Sequence, residues 1–393
     1  MRHKTRLLTP GPTMLPDRVR LAMAADMIHH RKADFKALLA EIQPKLRELF
    51  GTEQPVLPLA SSGSGAMTAA VHNLFAPGET VLVVDGGKFS QRWLEIATAR
   101  GLTPVSIKVE WGQAVTVAQV EEAMRQHPEA KGLLVQISET STGVQHPVNL
   151  LGRLTRTQGM LLVADGVSSV GISPSRMDEW GVDCLVAGSQ KGLMVPPGLA
   201  LIALSAQAWA KAAEIDPGCA YFDLHGEWES LKEKGETHFT PAISLCYGLR
   251  EALNMVEEGG GFTEVYRRQW ALTMMARTGV RAMGLELFAS ADFAWGVTSV
   301  RLPAGVDGQK LLRLASENWG VTMEGGQEHL KGRIVRVGHM GWTDWADLVA
   351  GLHALAWALP RAGGFTSARN YLELALAAYC KALDVEPGRA IDM

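Results

Sequence analysis

Cysteine is scarce in this chain. Four residues, Cys184, Cys219, Cys246 and Cys380, are spread through 393 positions, and no two form a CxxC pair. That spacing excludes a zinc ribbon, an iron–sulfur cluster and a disulfide framework, and it fits a reducing compartment. No apolar run reaches the roughly 18 residues that cross a bilayer. No apolar stretch follows Met1-Arg2-His3-Lys4, as a secretory leader requires. The closing Ala390-Ile391-Asp392-Met393 matches no peroxisomal or retention address, so a cytoplasmic location is expected. Excess charge is missing too: 38 Lys+Arg against 41 Asp+Glu leave a net charge of -3, with no field for nucleic acid or an anionic membrane. Internal repeats and low-complexity segments are absent.

What the chain does have is apolar rhythm. Hydrophobic residues make up 47% and charged residues 20%, the profile of a soluble globular protein with room for two or three domains. Between residues 50 and 205, aliphatic runs at 55–60, 80–85, 104–109, 132–137, 160–165, 183–187 and 199–204 alternate with amphipathic stretches at 66–75, 89–100, 117–127 and 147–157. Most runs lack polar alternation, so both faces of these strands are expected to be buried. Repeated strand-then-helix order predicts an α/β fold with a mostly parallel seven-stranded sheet covered by helices. An N-terminal helix is expected at 34–50. After about residue 240 a helical stretch at 244–283 leads into a smaller α/β pattern, with strands at 296–302, 320–323 and 333–337 and helices at 308–318 and 344–359. The expected division is an arm at 1–20, a large domain at 21–255, a small C-terminal domain at 256–364 and a helical tail at 365–393. The tail's apolar turns suit docking on this chain or on a second copy.

Four positions carry chemistry. Ser61-Ser62-Gly63-Ser64-Gly65-Ala66 joins a strand to a helix, and free N–H groups at such a start bind phosphate; an ordinary glycine-rich turn is the alternative. The segment has neither the third glycine of GxGxxG nor the lysine of a P-loop. Asp165 closes a buried aliphatic run and loses solvation unless it gains a partner, or else it caps the segment 166–169. Lys191 also follows a strand. A desolvated lysine of lowered pKa is what covalent chemistry with a carbonyl cofactor requires, and a surface lysine is the alternative. Arg336 stands inside an apolar strand, where its planar fork suits a carboxylate ligand or a structural salt bridge. Phosphate turn, strand-end acid, strand-end lysine and carboxylate-reading arginine, in that order, describe a pyridoxal 5'-phosphate (PLP) enzyme.

The sequence resembles the class V aminotransferases of PLP fold type I, in particular the alanine–glyoxylate, serine–glyoxylate and serine–pyruvate group. The resemblance runs from Thr9-Pro10-Gly11-Pro12-Thr13 to about Leu359. It rests on Ser62-Gly63-Ser64-Gly65, Glu139-Thr140-Ser141-Thr142-Gly143, Asp165-Gly166-Val167-Ser168-Ser169, Gly188-Ser189-Gln190-Lys191, Pro196-Pro197-Gly198, Thr240-Pro241-Ala242-Ile243-Ser244 and Arg336-Val337-Gly338-His339-Met340-Gly341. It implies a PLP-dependent transaminase that passes an amino group from alanine or serine to glyoxylate or pyruvate by a ping-pong mechanism; an aspartate or other donor is the alternative.

The resemblance also implies residue roles. Lys191 would bond the cofactor and shuttle the proton, and Asp165 would pair with the pyridine nitrogen. Ser64, Gly65, Ala66 and Gln190 would hold the phosphate. Phe89 and Val167 would face the ring, and Thr140 would reach its phenolic oxygen. Arg336, with the Gly11 backbone, would bind the substrate carboxylate. Thr240 would reach the phosphate of a second subunit, so a homodimer is implied, with the arm at the active site and the interface. Ala66 and Thr237 stand where relatives have histidine and tyrosine. The run 325–332 resembles microbial branches, one labelled a soluble-hydrogenase small subunit, although no cysteine cluster here could hold iron or nickel.

Other readings are weaker. A cysteine desulfurase would place histidines where Gln190 and Phe89 stand. A nicotinamide dehydrogenase would need a third glycine and a later acid. A catalytically retired PLP-binding subunit is opposed by the intact Lys191 and Asp165. His29-His30 lacks metal-ligand spacing, so no metal is expected. Arg31 is a candidate for a second substrate carboxylate, with surface pairing as the alternative. His339 is expected only to orient its strand end. The eleven tryptophans are scattered and read as packing.

Overall fold

The structure, a computed structural model, describes residues 4–385; residues 1–3 and 386–393, which include the C-terminal address position, lie outside the described residues. Seven strands form the larger sheet: β1 (Val56–Leu59), β2 (Thr80–Asp85), β3 (Thr103–Lys108), β4 (Gly132–Gln136), β5 (Leu161–Asp165), β6 (Cys184–Gly188) and β7 (Ala200–Leu204). Their spatial order is β1-β7-β6-β5-β4-β2-β3. From β6 to β3 neighbours run parallel. Only β7 runs against its neighbours, so the mostly parallel seven-stranded sheet is present. Every residue of β4 to β7 is buried, which explains the missing polar alternation. Pro58 is tolerated in β1 because β1 is an edge strand with one open side.

Helices cover both faces. Met67 and Val71 of helix Gly63–Leu74 pack with Trp93 of helix Lys88–Arg100 on one side. Leu39 and Leu46 of helix Ala33–Phe50 pack with Leu249 of helix Ile243–Glu258 on the other. The shorter helices Asp17–Met23, Ala206–Ala212 and Leu224–Lys234 are not among those expected from the apolar pattern. Two of these carry a legible start signal, since Ser205 and Asp223 cap them through their side chains.

A second sheet contains β8 (Glu286–Leu287), β9 (Val297–Arg301), β10 (Glu324–Gly325) and β11 (Ile334–Gly338), all antiparallel in the order β8-β9-β11-β10. Val300 and Val335 of this sheet share an apolar core with Val280 of helix Gly261–Ala282 and Leu352 of helix Trp345–Arg361. The strand expected at 320–323 shortens to Val321–Thr322 and leaves this sheet to pair in parallel with Arg6–Leu7. Burial of Leu8 draws the opening residues there: it is fully enclosed and so close to Gly351 that a Cβ on that glycine would lie 2.2 Å away. Gly338 N then donates to Leu8 O at 2.7 Å, leading the chain past the end of β11. The tail question also resolves for the described residues. Helix Tyr371–Leu383 lies along Gly261–Ala282, with Ala375 against Gly279, so it docks on its own chain. No helix among the described residues is long and apolar enough to cross a membrane.

Candidate active site

The carboxyl ends of β1, β2, β4, β5 and β6 deliver residues to one cleft of about 280 Å³, at the sheet edge where ligands gather in open α/β folds. Gly11, Ser64, Phe89, Thr140, Asp165, Val167, Gln190 and Lys191 all line it.

Asp165 is the last residue of β5 and is 7% exposed. One carboxylate oxygen accepts from Val167 N at 2.8 Å. The residues after it form turns rather than a regular helix, so Asp165 fastens a turn and faces the cleft. Burial pushes its pKa up to about 6; the Val167 amide opposes that rise, Glu139 adds to it, and the Lys191 charge opposes it. Lys191 is 8% exposed, which removes the surface-lysine alternative. Burial brings its ammonium down to about 8, against the pull of Asp165 and with help from Arg336 and Arg92. Lys191 Nζ donates to Pro10 O. Gly11 presses on the lysine stem so closely that a Cβ would lie 2.5 Å from Lys191 Cδ, and its φ is +108°. The left-handed backbone demands glycine there, and any larger residue would also push the lysine stem aside.

The helix Gly63–Leu74 begins without a side-chain cap. The amides of Gly63 and Ser64 make no hydrogen bond to the described residues, whereas Gly65 N and Ala66 N are turned to Ser62 O at 2.9 and 3.3 Å. The free donors therefore sit one step earlier than the expected Ser64–Gly65–Ala66 set. A Cβ on Gly63 would lie 2.5 Å from Val167, and one on Gly65 would lie 1.7 Å from Ser61 Oγ, so both positions need glycine for close packing. Gln190 lines the cleft with its Oε1 buried and unpartnered.

Arg336 stands on β11 and is 5% exposed. Its guanidinium donates to Gly325 O at 2.8 Å and Thr140 O at 3.1 Å. No Asp or Glu oxygen among the described residues lies within the 4.0 Å of a salt bridge to it. Arg336 is thus a buried cation without a direct ion pair; the charges of Glu324, its cross-strand neighbour, and Glu139 act on it from beyond salt-bridge distance. Arg336 reaches the cleft across Thr140 rather than forming its wall.

Two further residues contribute to the cleft. Glu139 is fully buried and accepts from Ser90 N at 2.9 Å, Phe89 N at 3.4 Å, Ser141 N at 3.1 Å and Ser141 Oγ at 2.6 Å. Burial raises its pKa and these bonds oppose the rise. It joins the start of the Phe89 helix to the turn bearing Thr140. Arg92 lies one helical turn beyond Phe89, and that i, i+3 spacing was its only signal.

Other candidates lie elsewhere. Thr240 stands outside this cleft, in a small pocket with Tyr221, Phe222, Thr237 and Phe239. Arg31 is held by Glu236 at 2.6 Å, which fulfils the pairing alternative. His29 and His30 stack on each other at 4.8 Å. His339 is fully buried and bonded to Thr298 at 2.9 Å. No group of three or more potential metal-ligating side chains is gathered among the described residues, and none of the four cysteines lines the cleft.

The family model for aminotransferase class V matches residues 8–340. The chain belongs to the class V aminotransferases. This aminotransferase is 37% identical over 355 residues to the serine–glyoxylate aminotransferase of Methylorubrum extorquens, covering 86% of this chain and 87% of that one. It is 35% identical over 367 residues to a Synechococcus protein named soluble hydrogenase, small subunit, covering 92% and 95%. The crystal structure of ureidoglycine–glyoxylate aminotransferase from Bacillus subtilis superposes with a TM-score of 0.91 at 28% identity, covering 96% and 99%. Fold type I and PLP dependence follow from family and fold together. The residues present fit that cofactor: free amides and hydroxyls for a phosphate, an acid at the sheet edge, a buried amine, and Phe89 with Val167 for a ring.

Proposed function

We propose that this aminotransferase takes the amino group of a small L-amino acid, alanine or serine, and gives it to a small 2-oxo acid, glyoxylate or pyruvate, in a ping-pong cycle. The observation that carries the reading is Arg336, a buried guanidinium without a carboxylate partner, across Thr140 from the buried Lys191–Asp165 pair. PLP supplies an electron-withdrawing ring when bound. This chain's residues do the rest. Asp165 holds negative charge where the ring nitrogen needs a partner. Lys191 is neutral in an appreciable fraction near neutral pH, so Nζ can bond the cofactor and afterwards take and return the proton at the substrate Cα. Arg336 binds the substrate carboxylate beside the Gly11 backbone, while Ser64, Gln190 and the helix start receive the phosphate. Arg31 is occupied by Glu236, which favours donors with one carboxylate over aspartate.

The active unit in this reading is a cytoplasmic homodimer in which Thr240 completes the second subunit's phosphate site. Its position outside its own cleft supports that placement. The chain divides into a cofactor domain at 21–255 and a small domain at 256–364. Single-turnover reactions with L-alanine, L-serine or L-aspartate, each scored for its 2-oxo acid product, test the donor. Alanine or serine is expected to react fastest; aspartate as the fastest donor would overturn the assignment.

A further inference from the structure

We propose that Arg92 reads the cofactor's phosphate and makes this cleft select the phosphorylated vitamer over the free alcohol. The inference rests on the PLP reading above and adds a residue to it. Arg92 stands one turn into helix Lys88–Arg100 and lines the cleft with Ser62, Gly63 and Ser64. Its Nη1 donates to Ser64 Oγ at 2.9 Å. A serine hydroxyl that accepts from arginine keeps its own hydrogen to donate, and that hydrogen is free for a ligand. The guanidinium lies 5.4 Å from the Phe89 ring centroid. No carboxylate among the described residues comes within 4.0 Å of it.

Charge bookkeeping singles out this arginine. A phosphate monoester carries about -1.5 to -2 near neutral pH. The helix start and the hydroxyls offer donors but no net charge. Lys191 faces Asp165, and Arg336 lies beyond Thr140, outside the cleft lining. Among the described residues, Arg92 is the cation left at the Ser64 end. The free vitamer has a hydroxymethyl group in place of the phosphate, so it would leave the guanidinium and the two free amides unanswered.

The test strips the cofactor and titrates the protein with PLP and, separately, with pyridoxal, followed by tryptophan fluorescence and visible absorbance. Arg92→Gln is expected to weaken PLP by roughly a hundredfold, the loss of a hydrogen-bonded charge, and to leave pyridoxal within about twofold. Inorganic phosphate should compete with PLP in the parent and fail to compete in Arg92→Gln. Arg92→Lys, which keeps the charge and loses the fork, should fall between the two. Equal losses for PLP and pyridoxal, or no loss for either, overturn the inference. If Arg92→Gln does not fold, the phosphate competition in the parent and the Arg92→Lys pair of affinities decide it in the same way. Failure of the parent itself to bind PLP would instead remove the cofactor reading on which the inference depends.

Discussion

The two ends of the cleft are built differently. The lysine and phosphate end comes from loops of a single sheet: Ser64 follows β1, Phe89 follows β2, Asp165 closes β5 and Lys191 follows β6. The Arg336 end is assembled from two sheets, since Arg336 rises from β11 and is held by Thr140 O of the large-sheet side and Gly325 O of its own. The first end inherits its geometry from strands buried on both faces. The second depends on how two cores meet and on the opening residues that thread between them at Pro10 and Gly11. On the proposed assignment, cofactor holding is thus fixed by the frame, while substrate reading sits where a small shift of one core changes the fit.

Breaking the first end should cost most. Lys191→Ala should lower transamination by at least about 10²–10⁴-fold, the range for a lost general acid–base, while PLP still binds without a covalent bond; steady-state rates and equilibrium dialysis check both halves. At the second end, Arg336→Ala should weaken the amino acid by about 2–5 kcal/mol and leave PLP affinity unchanged. A matching loss of PLP affinity would erase the distinction between the ends.

The buried pair sharpens the comparison through pH. Asp165 has its pKa raised, so its contribution to the cofactor-free fold is complete below its ordinary value of 3.8 and is lost as pH rises through about 6. Lys191 has its pKa lowered, so its contribution is complete above its ordinary value of 10.5 and is lost as pH falls through about 8. Between pH 6 and 8 both groups are charged and buried. The double variant Asp165→Asn/Lys191→Met should therefore be more stable than the cofactor-free parent by about 2–4 kcal/mol at pH 7, with the gap in thermal unfolding narrowing towards pH 4, where only Lys191 stays charged, and towards pH 10, where only Asp165 does. The smallest effect belongs to the rim. Lys88→Ala, which breaks an exposed 2.8 Å pair with Glu328 between the two sides, should leave the thermal unfolding midpoint essentially unchanged.

Much of the first end was legible because each residue follows its strand within a few positions. The buried runs announced the strands, and the small, acidic or basic residue after each run announced the cleft. Arg336 was legible as an oddity, a charge inside an apolar strand, but its lack of an ion pair could be seen only in three dimensions. Glu139 could be read as part of a motif and not as the acceptor joining the Phe89 helix to the Thr140 turn, since its donors lie some fifty positions away. The strand at 320–323 went astray for a similar reason: its partner is Arg6–Leu7, over three hundred residues earlier. Thr240 remains a proposal, because its role involves a second copy of the chain.

The most direct test of the central claim, a lysine at the end of β6 that bonds PLP, is reduction of the purified holoenzyme with borohydride followed by peptide mass mapping. One phosphopyridoxyl group on the peptide containing Lys191, and none in Lys191→Ala, is the predicted result. No adduct after saturation with PLP, or an adduct on a different lysine, would contradict it.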